Sequence, residues 1–346
     1  MPDLETPTTT PAVVLKAPGR LEPVEVPVPE PGPGEVLLRV LAVGLCGSDA
    51  HWFEDGAIGE ETIGEGIILG HEIAAVIATG PRGGERVAVD PAVPCLVCEQ
   101  CHRGRHNLCT DLRFAGHAST DGGLRGHMVW PERCLVTLPH EMSDDVGAML
   151  EPLGVALHAV DLSGADRAAS IGVLGCGPIG LLVVMSLKAL GFEDVAAFDP
   201  LPHRLRLADE MGAVTAAEPA AADGRFDVVI ETAGTDEAIS TALGQVRPAG
   251  RVVMVGIPPS DRTTIKASLA RRREVTMVWC RRMMPGDLVR AVSLATGRSE
   301  MLSRLVTGRY PLGETATAFQ ALVDRRGVKT VVTPGTGGGM EPNRNG

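Results

Sequence analysis

Four cysteines share a short stretch of the chain: Cys95, Cys98, Cys101 and Cys109. Their spacing, C-x2-C-x2-C-x7-C, allows one loop to bring four thiolates around one ion. Four sulfur ligands complete the tetrahedral shell of a structural zinc and leave no position for a substrate. Free or oxidised cysteines are one alternative, and an iron–sulfur cluster is another, although nothing else in the sequence indicates electron transfer. The loop therefore predicts a zinc that stabilises the fold and takes no part in a reaction.

A second set of metal-binding side chains is dispersed over the first half of the chain. Cys46 lies in GLCGSD, His71 and Glu72 lie in GHE, and Glu151 lies in EPLGVALH. A thiolate, an imidazole and a carboxylate suit a zinc with one open position, and such a zinc lowers the pKa of a bound alcohol. Each fragment alone has a simpler explanation, because a lone cysteine more often serves packing. The spacing leaves open whether these residues meet at one catalytic metal.

A glycine-rich turn in the second half fits the dinucleotide-binding pattern G-x-G-x-x-G, with the letters GCGPIG at 175–180. This pattern places a pyrophosphate at a helix N-terminus. Asp199 follows at the end of the next predicted strand, where a carboxylate accepts hydrogen bonds from the adenosine ribose and repels a 2′-phosphate. NAD is therefore favoured over NADP, although His203 and Arg204 could meet a 2′-phosphate. A glycine turn that binds no nucleotide is the alternative. The predicted cofactor contacts in the turn are Gly175, Gly177, Pro178 and Gly180.

The two halves of the chain predict different kinds of secondary structure around these motifs. In the first half, β-branched runs are broken by glycine and proline at short intervals, which predicts a compact β-rich domain. Its clearest strands are 36–43, 73–78 and 86–89. In the second half, strands alternate with helices, which predicts a parallel, doubly wound α/β sheet. Its strands are predicted at 170–174, 195–198, 226–230 and 251–255, and its helices at 179–190, 202–211 and 238–246.

Length and charge limit the class of protein. A chain of 346 residues with 44% apolar and 22% charged residues is typical of a globular protein with two domains. The net charge of −11 argues against a nucleic-acid partner. The sequence lacks an apolar run that could cross a bilayer, and its first residues do not resemble a secretory signal. We therefore expect a cytoplasmic protein without a membrane partner, with loose tails at 1–11 and 335–346.

Together these motifs resemble the zinc-dependent medium-chain dehydrogenases. The resemblance runs from about Val13 to Val332 and rests on GLCGSDAHWFEDGAIG, GHE, the cysteine loop, EPLGVALHA and GCGPIG, in that order. The glutamate of EPLGVALHA is similar to the sorbitol, xylitol and threonine dehydrogenase branches, whereas other alcohol dehydrogenases of the family carry a cysteine there. The segment from His51 to Gly59 also resembles the sorbitol branch.

The resemblance implies an α/β protein with a GroES-like β-rich catalytic domain and a doubly wound Rossmann domain. The implied catalytic domain covers 12–155 and is completed by 296–340, and the implied NAD-binding domain covers 156–295. The implied active site lies in the cleft between them. The family also forms homodimers and homotetramers, in which edge strands of the Rossmann domains often pair.

The resemblance also implies roles for single residues. Cys46, His71 and Glu72 would surround the catalytic zinc, and Glu151 would bind the metal or hold its water. Ser48 matches the hydroxyl that relays the alcohol proton, which makes Ser48, Glu72 and Glu151 the predicted catalytic residues. Asp49 would orient a zinc ligand. Ile179 of the glycine turn also matches a cofactor contact of the family, and the implied contacts outside the turn are Asp199, Arg204, Val255 and Gly256.

Three positions that face substrate in the sorbitol branch are altered here. Arg282 matches an arginine that touches the polyol, but Met283 follows it where an aromatic residue is usual, and a solvated Arg281–Arg282 pair is the simpler explanation. The letters AGHAST at 115–120 replace a Thr-Pro-Pro stretch after Phe114. Trp52 stands where a tyrosine is common. We expect Trp52, Phe114 and Arg282 to contact the substrate.

These features predict an enzyme with two zinc ions per chain that passes a hydride from a secondary alcohol of a polyol or sugar-like substrate to NAD, giving a ketone. The proton would leave through Ser48, through a water near Glu151, or both. A cyclitol, aminocyclitol or amino sugar is the alternative substrate, and a threonine-type hydroxy acid is a further one. The alternative outside enzymes is a nucleotide-binding relative without catalysis, which would be expected to lack zinc ligands.

Overall fold

The structure is a computed structural model of the chain, and it describes residues 7–117, 119–219, 224–259 and 262–335. The predicted loose segments 1–6 and 336–346, and Ala118 of the altered segment, lie outside these residues. The chain divides into two compact units. The first contains the described parts of Met1–Val93, Leu112–Met149 and Leu302–Gly346, and the second contains those of Pro94–Asp111 and Leu150–Met301. In the part of the chain that the structure describes, no helix is long and apolar enough to span a membrane.

The elements are numbered along the chain. The strands are β1 (Thr9–Ala17), β2 (Arg20–Pro27), β3 (Glu35–Gly44), β4 (Ala57–Ile58), β5 (Glu61–Thr62), β6 (Ile67–Ile68), β7 (Glu72–Ile77), β8 (Arg86–Val89), β9 (Ala92–Val93), β10 (Arg113–Phe114), β11 (His127–Pro131), β12 (Leu135–Thr137), β13 (Ile171–Leu174), β14 (Val195–Phe198), β15 (Val214–Ala216), β16 (Phe226–Glu231), β17 (Val246–Met254), β18 (Thr276–Trp279), β19 (Val306–Pro311) and β20 (Lys329–Thr333).

The helices are α1 (Gly47–Asp55), α2 (Glu99–His102), α3 (Asp144–Ala148), α4 (Leu150–Ser163), α5 (Pro178–Ala189), α6 (Pro202–Glu210), α7 (Asp236–Gln245), α8 (Ala267–Arg273), α9 (Asp287–Ala295), α10 (Ser299–Leu305) and α11 (Thr315–Val323). Short 3-10 turns cover His106–Leu108, Glu132–Cys134 and Leu312–Glu314.

A seven-stranded sheet organises the first unit, in the order β12-β8-β7-β3-β20-β19, with β11 also paired to β3. Strand β3 is antiparallel to β7, and Gly44 at its end lies opposite Glu72 at the start of β7. The end of β3 also pairs with β20, where Val43 lies opposite Val332. The apolar residues of β3 and β7 are buried in one core. This pairing brings the end of β3, the start of β7 and a part of β20, which are far apart in sequence, next to one another.

The first strand corrects the predicted loose N-terminal tail, which was expected to reach residue 11. Strand β1 begins at Thr9, and its first residues pair with the end of β2, with Thr9 opposite Pro27. Thr10 is fully buried, and its hydroxyl lies 3.1 Å from His127 Nδ1. The sequence of this segment is polar, and its strand could not be predicted from that sequence because its hydrogen-bond partners come from other parts of the chain.

A six-stranded parallel sheet organises the second unit, in the order β15-β14-β13-β16-β17-β18. Leu174 at the end of β13 lies opposite Phe198 on one side and Glu231 on the other. The order of the strands reverses between β13 and β16, and ligands of such sheets bind outside the carboxyl ends of the strands at this point. The α/β class and the doubly wound sheet predicted from the sequence are confirmed.

One predicted boundary in this unit is wrong by several residues. Strand β17 was expected to begin at 251, but it begins at Val246, directly after α7. Val246 pairs with Phe226, and the register then shifts before Arg251 pairs with Val228. Ala249 adopts a left-handed backbone with φ of 59° inside this irregular stretch. Pro248 and Gly250 also lie in this irregular stretch.

Candidate metal centres and cofactor turn

Cys46, His71 and Glu72 come together where β3 ends and β7 begins. One ligand atom from each of the three lies within 4.8 Å of the others. Glu72 is fully buried and His71 is nearly so. Glu72 Oε1 accepts no hydrogen bond from any described residue, whereas buried carboxylate oxygens are nearly always paired. A thiolate, an imidazole and a buried carboxylate oxygen that needs a partner fit a zinc ion.

Asp49 holds two of these residues in place. It lies in the first turn of α1, fully buried, and its Oδ2 accepts a hydrogen bond of 2.9 Å from the Cys46 backbone N–H. Its Oδ1 lies 3.6 Å from His71 Nδ1. Burial lowers the pKa of His71, but the Asp49 carboxylate and Cys46 outweigh this effect and raise it well above 6.5. A carboxylate on one ring nitrogen fixes the orientation of a histidine whose other nitrogen binds a metal.

The two other residues predicted for this centre lie on helices. Ser48 is half-buried in the first turn of α1, two residues after Cys46. Glu151 is nearly buried in the first turn of α4, in the second unit. Glu151 is not part of the group that Cys46, His71 and Glu72 form. The roles of Ser48 and Glu151 in proton transfer and metal binding stay predictions.

A cluster of rings extends from the His71 side chain within the first unit. The ring of Phe114 lies 5.4 Å from that of His71 and 6.0 Å from that of His117. His117 also lies edge-on to Trp52 at 5.2 Å, and its Nδ1 is 3.1 Å from a Glu61 carboxylate oxygen. The structure thus brings together Trp52 and Phe114, which were predicted to face substrate, with His117 of the altered segment. Glu61 was not predicted to belong to this cluster.

The four cysteines of the loop also converge. Their sulfur atoms all lie within 4.8 Å of one another, and all are free thiols. Backbone hydrogen bonds from Thr110 and Cys101 lower the pKa of Cys98 to about 5, whereas burial raises the pKa of Cys101 to about 12. Four thiolates at such distances repel one another unless a cation lies between them. The geometry and the donor set fit a closed tetrahedral zinc site.

The glycine turn lies between β13 and α5, as a dinucleotide-binding motif requires. Gly175 has φ of 93°, which a side chain disfavours, and a Cβ at Gly180 would overlap the Gly175 carbonyl oxygen. Gly177 precedes Pro178, the first residue of α5. A Cβ at Gly177 would meet only Arg204 Nη1, at 3.8 Å. The helix N-terminus therefore has room for a phosphate group.

Asp199 lies beside this turn, nearly buried at the end of β14. One of its carboxylate oxygens accepts a hydrogen bond of 2.8 Å from the Cys176 N–H, and the other accepts one of 2.8 Å from the Leu201 N–H. Arg204 Nη1 lies 3.9 Å from Asp199 Oδ2. Asp199, which favours NAD, and Arg204, which could meet the 2′-phosphate of NADP, are therefore neighbours. Each reduces the net charge that the other presents to the cofactor.

Val255 and Gly256 follow β17 in the same unit. Both of their N–H groups lie within hydrogen-bonding distance of the Glu231 carbonyl oxygen, at 2.8 and 3.1 Å. Glu231 also holds the Ala233 and Gly234 N–H groups with its side chain, at 2.6 and 2.7 Å. These bonds fix the turns after β16 and β17, at the edge of the sheet that carries the glycine turn. Their contact with a nicotinamide stays a prediction.

Arg282 has an unusual backbone conformation, with φ of 58°. The next residue, Met283, is nearly buried, and a Cβ at Gly154 would lie 2.6 Å from its sulfur. Asn107 donates a hydrogen bond of 3.0 Å to the carbonyl of the preceding Arg281. Left-handed residues other than glycine cluster at functional sites, although packing explains many of them. The contact of Arg282 with substrate stays a prediction.

Comparison with known proteins identifies the family. The model of the alcohol dehydrogenase GroES-like domain matches residues 32–140, and that of the zinc-binding dehydrogenases matches residues 178–297. The probable D-xylulose reductase A of Neosartorya fischeri is 34% identical over 328 residues, covering 88% of this chain and 91% of the relative. The crystal structure of L-idonate 5-dehydrogenase from Escherichia coli matches with a TM-score of 0.86 and 28% identity, over 94% of this chain and 98% of that one.

A zinc-binding dehydrogenase from Sinorhizobium meliloti, whose crystal structure contains NADP, matches with a TM-score of 0.84 and 29% identity, over 95% of this chain and 100% of that one. The chain belongs to the zinc-dependent medium-chain alcohol dehydrogenases, in their polyol dehydrogenase branch. It is a zinc- and nicotinamide-dependent oxidoreductase, as the sequence predicted.

Proposed function

We propose that this protein oxidises a secondary alcohol of a polyol or sugar-like substrate to a ketone, with NAD as the hydride acceptor and two zinc ions in each chain. The observation that carries this proposal is the group formed by Cys46, His71 and Glu72, with its buried and unpaired carboxylate oxygen. The names of the relatives, a xylulose reductase and an idonate dehydrogenase, support a polyhydroxylated substrate.

Different residues of the chain would have different roles in this reaction. Zinc, when bound, would lower the pKa of the substrate hydroxyl, and the nicotinamide would accept the hydride. Ser48 would receive the hydroxyl proton and pass it on. Asp49 would keep the His71 ring oriented. Glu151 keeps the role that the resemblance gives it, as a ligand of the metal or of its water.

The ring cluster supports a second candidate substrate. Trp52 and Phe114 would cover the carbon skeleton of the substrate and exclude water from it. His117 and Glu61 form an ion-pairing unit at this cluster that a simple polyol does not need. A carboxylate at hydrogen-bonding distance from an imidazole could instead recognise an amino group. Within the alternative class of cyclitols, aminocyclitols and amino sugars, this observation favours the amino-bearing members over a linear polyol.

The preference for NAD rests on Asp199. Its carboxylate would accept hydrogen bonds from the ribose hydroxyls and repel a 2′-phosphate. Its two backbone hydrogen bonds hold it at the end of β14, beside the open N-terminus of α5. Arg204 pairs with Asp199 and is therefore less available to a 2′-phosphate.

The proposal is tested with purified protein, NAD or NADP, and a panel of linear polyols, cyclitols and amino sugars, by following the absorbance of the reduced nicotinamide. We expect turnover of sorbitol or xylitol and a higher kcat/KM for NAD than for NADP. Turnover of cyclitols or amino sugars alone would favour the second candidate. Absence of turnover on the whole panel, in protein that holds two zinc ions per chain, would refute both.

We also propose that the protein forms a homodimer or homotetramer through strand β18. This strand ends the parallel sheet among the described residues, and Trp279 on it is 52% exposed. An edge strand with an exposed aromatic residue favours pairing with a second copy. We expect Trp279→Asp to lower the sedimentation coefficient to that of a monomer. Val289→Asp on α9 replaces an equally exposed apolar residue and serves as the matched control. A wild-type monomer, or an unchanged oligomer in the Trp279 variant, would contradict the proposal.

A further inference from the structure

A fully buried acid ends strand β16, next to the point where the order of the strands in the parallel sheet reverses. This residue is Glu231, and Thr232 follows it. One Glu231 carboxylate oxygen accepts hydrogen bonds of 2.6 and 2.7 Å from the N–H groups of Ala233 and Gly234, which form the turn after the strand. The other oxygen is also buried and accepts no hydrogen bond from a described residue. Burial of an acid is costly, so the turn that Glu231 holds is the reason to look for its function.

The turn after β16 and the turn after β17 pack directly on each other. The Glu231 carbonyl oxygen lies 2.8 Å from the Val255 nitrogen and 3.1 Å from the Gly256 nitrogen. A Cβ at Gly256 would overlap the Gly234 nitrogen, and a Cβ at Gly234 would overlap the Ile257 carbonyl oxygen. Because the two backbones are in such close contact, a shift of the first turn must displace the second. Glu231 therefore fixes the segment that was predicted to flank the nicotinamide.

Thr232 holds a different turn. Its hydroxyl lies 3.0 Å from the Leu174 carbonyl oxygen and 2.8 Å from the Gly175 carbonyl oxygen, and its N–H donates a hydrogen bond of 2.9 Å to Leu174. A Cβ at Gly180 would lie 2.8 Å from the same hydroxyl. Thr232 therefore packs against the glycine turn that was predicted to hold the pyrophosphate. Two consecutive residues thus fix two turns with different predicted cofactor contacts.

We propose that Glu231 and Thr232 are positioning residues for opposite parts of the cofactor, Glu231 for the nicotinamide half and Thr232 for the pyrophosphate. Glu231 acts through the turns after β16 and β17 and needs no contact with the cofactor itself. Burial raises the pKa of Glu231, and an acid that keeps its proton more readily repels the cofactor phosphates less. This inference rests on the cofactor site of the proposed function and adds two residues that the sequence analysis did not select.

The test compares the binding of NADH with that of ADP-ribose, which carries the adenosine and the pyrophosphate but lacks the nicotinamide. In Glu231→Ala, the dissociation constant of NADH should rise about tenfold or more, whereas that of ADP-ribose should change by less than about threefold. In Thr232→Val, the dissociation constants of both ligands should rise by a similar factor, because both ligands carry the pyrophosphate. Titration calorimetry on the zinc-loaded protein measures both ligands without any turnover.

Two further variants show whether a general loss of stability explains the effect. Glu231→Gln keeps an oxygen that can accept both N–H groups, and it should bind NADH within about threefold of wild type. Asp227 lies near the other end of β16, where it accepts hydrogen bonds of 2.7 Å from the Ser170 N–H and hydroxyl. Asp227→Ala should lower the melting temperature but change neither dissociation constant by more than about threefold.

The outcomes separate this inference from the proposed function. Wild-type protein that binds neither ligand would contradict the cofactor site itself. Wild-type protein that binds both, combined with equal changes for both ligands or with unchanged NADH binding in Glu231→Ala, would refute the role of Glu231. Weaker binding of NADH alone in Thr232→Val, or no change for either ligand, would refute that of Thr232. Should Glu231→Ala fail to fold, Glu231→Asp replaces it with the same expectations, because its acid is one methylene group too short to hold both N–H groups.

Discussion

Replacement of Cys46 by serine is expected to remove one of the two proposed zinc ions and to lower kcat/KM for the alcohol about 1000-fold or more. A neutral hydroxyl is a poor zinc ligand compared with a thiolate. His71 and Glu72 would remain, but two ligands hold a metal weakly and leave its geometry undefined. Loss of the charge stabilisation that the metal provides costs several kcal/mol in the transition state, and about 4 kcal/mol corresponds to this factor. Zinc analysis and steady-state kinetics on the same preparation measure both effects.

Cys134→Ser is the matched control for this variant. Cys134 is a nearly buried cysteine in the core of the same unit, and it lies outside both groups of candidate metal ligands. Its sulfur makes a long contact of 3.8 Å to the Ala92 carbonyl oxygen. The control should retain two zinc ions and most of the activity. A Cys46→Ser enzyme with full activity or with both zinc ions would show that Cys46 does not bind a catalytic metal.

The ease of predicting each site from the sequence follows the distance between its parts along the chain. The cysteine loop could be predicted because its ligands are neighbours in sequence, and the glycine turn because the strand, turn and helix are consecutive. The convergence of Cys46 with His71 and Glu72 depends on the antiparallel register of β3 and β7, which the letters alone do not specify. The buried Lys329 donates a hydrogen bond to the carbonyl oxygen of Leu45, the residue before Cys46, from 284 positions away in sequence. No local pattern in the sequence predicts that contact.

The residues that are proposed to contact the substrate were also difficult to predict from the sequence. Trp52 and Phe114 were predicted from the family resemblance to contact the substrate, which stays a prediction, and the structure places their rings in one cluster with His117. Glu61 lies on the short β4–β5 hairpin, whose two-residue strands carry too few residues for periodicity to predict. Tertiary packing decides which polar residues reach the cluster. Specificity is therefore the property that this sequence predicts least well.

Replacement of Cys101 by serine is expected to lower the melting temperature of the protein more than its catalytic activity, whereas Cys46→Ser should lower mainly the activity. The four cysteines form a closed set, so the loss of one sulfur should release the zinc and leave three crowded thiols. The binding free energy of a structural zinc is folding free energy for the segment that it holds. We expect the melting temperature to fall by about 10 °C or more.

Activity measured at low temperature should survive in Cys101→Ser, because the loop holds no open position for substrate. Zinc analysis should give one ion per chain, as in Cys46→Ser, but kinetics and melting should separate the two variants. Cys280→Ser is the control, since Cys280 is half-buried in the same unit and lies outside both groups of candidate metal ligands. Unchanged melting with two zinc ions retained would contradict the structural site. A loss of activity as large as that of Cys46→Ser at unchanged stability would instead give the loop a part in the reaction.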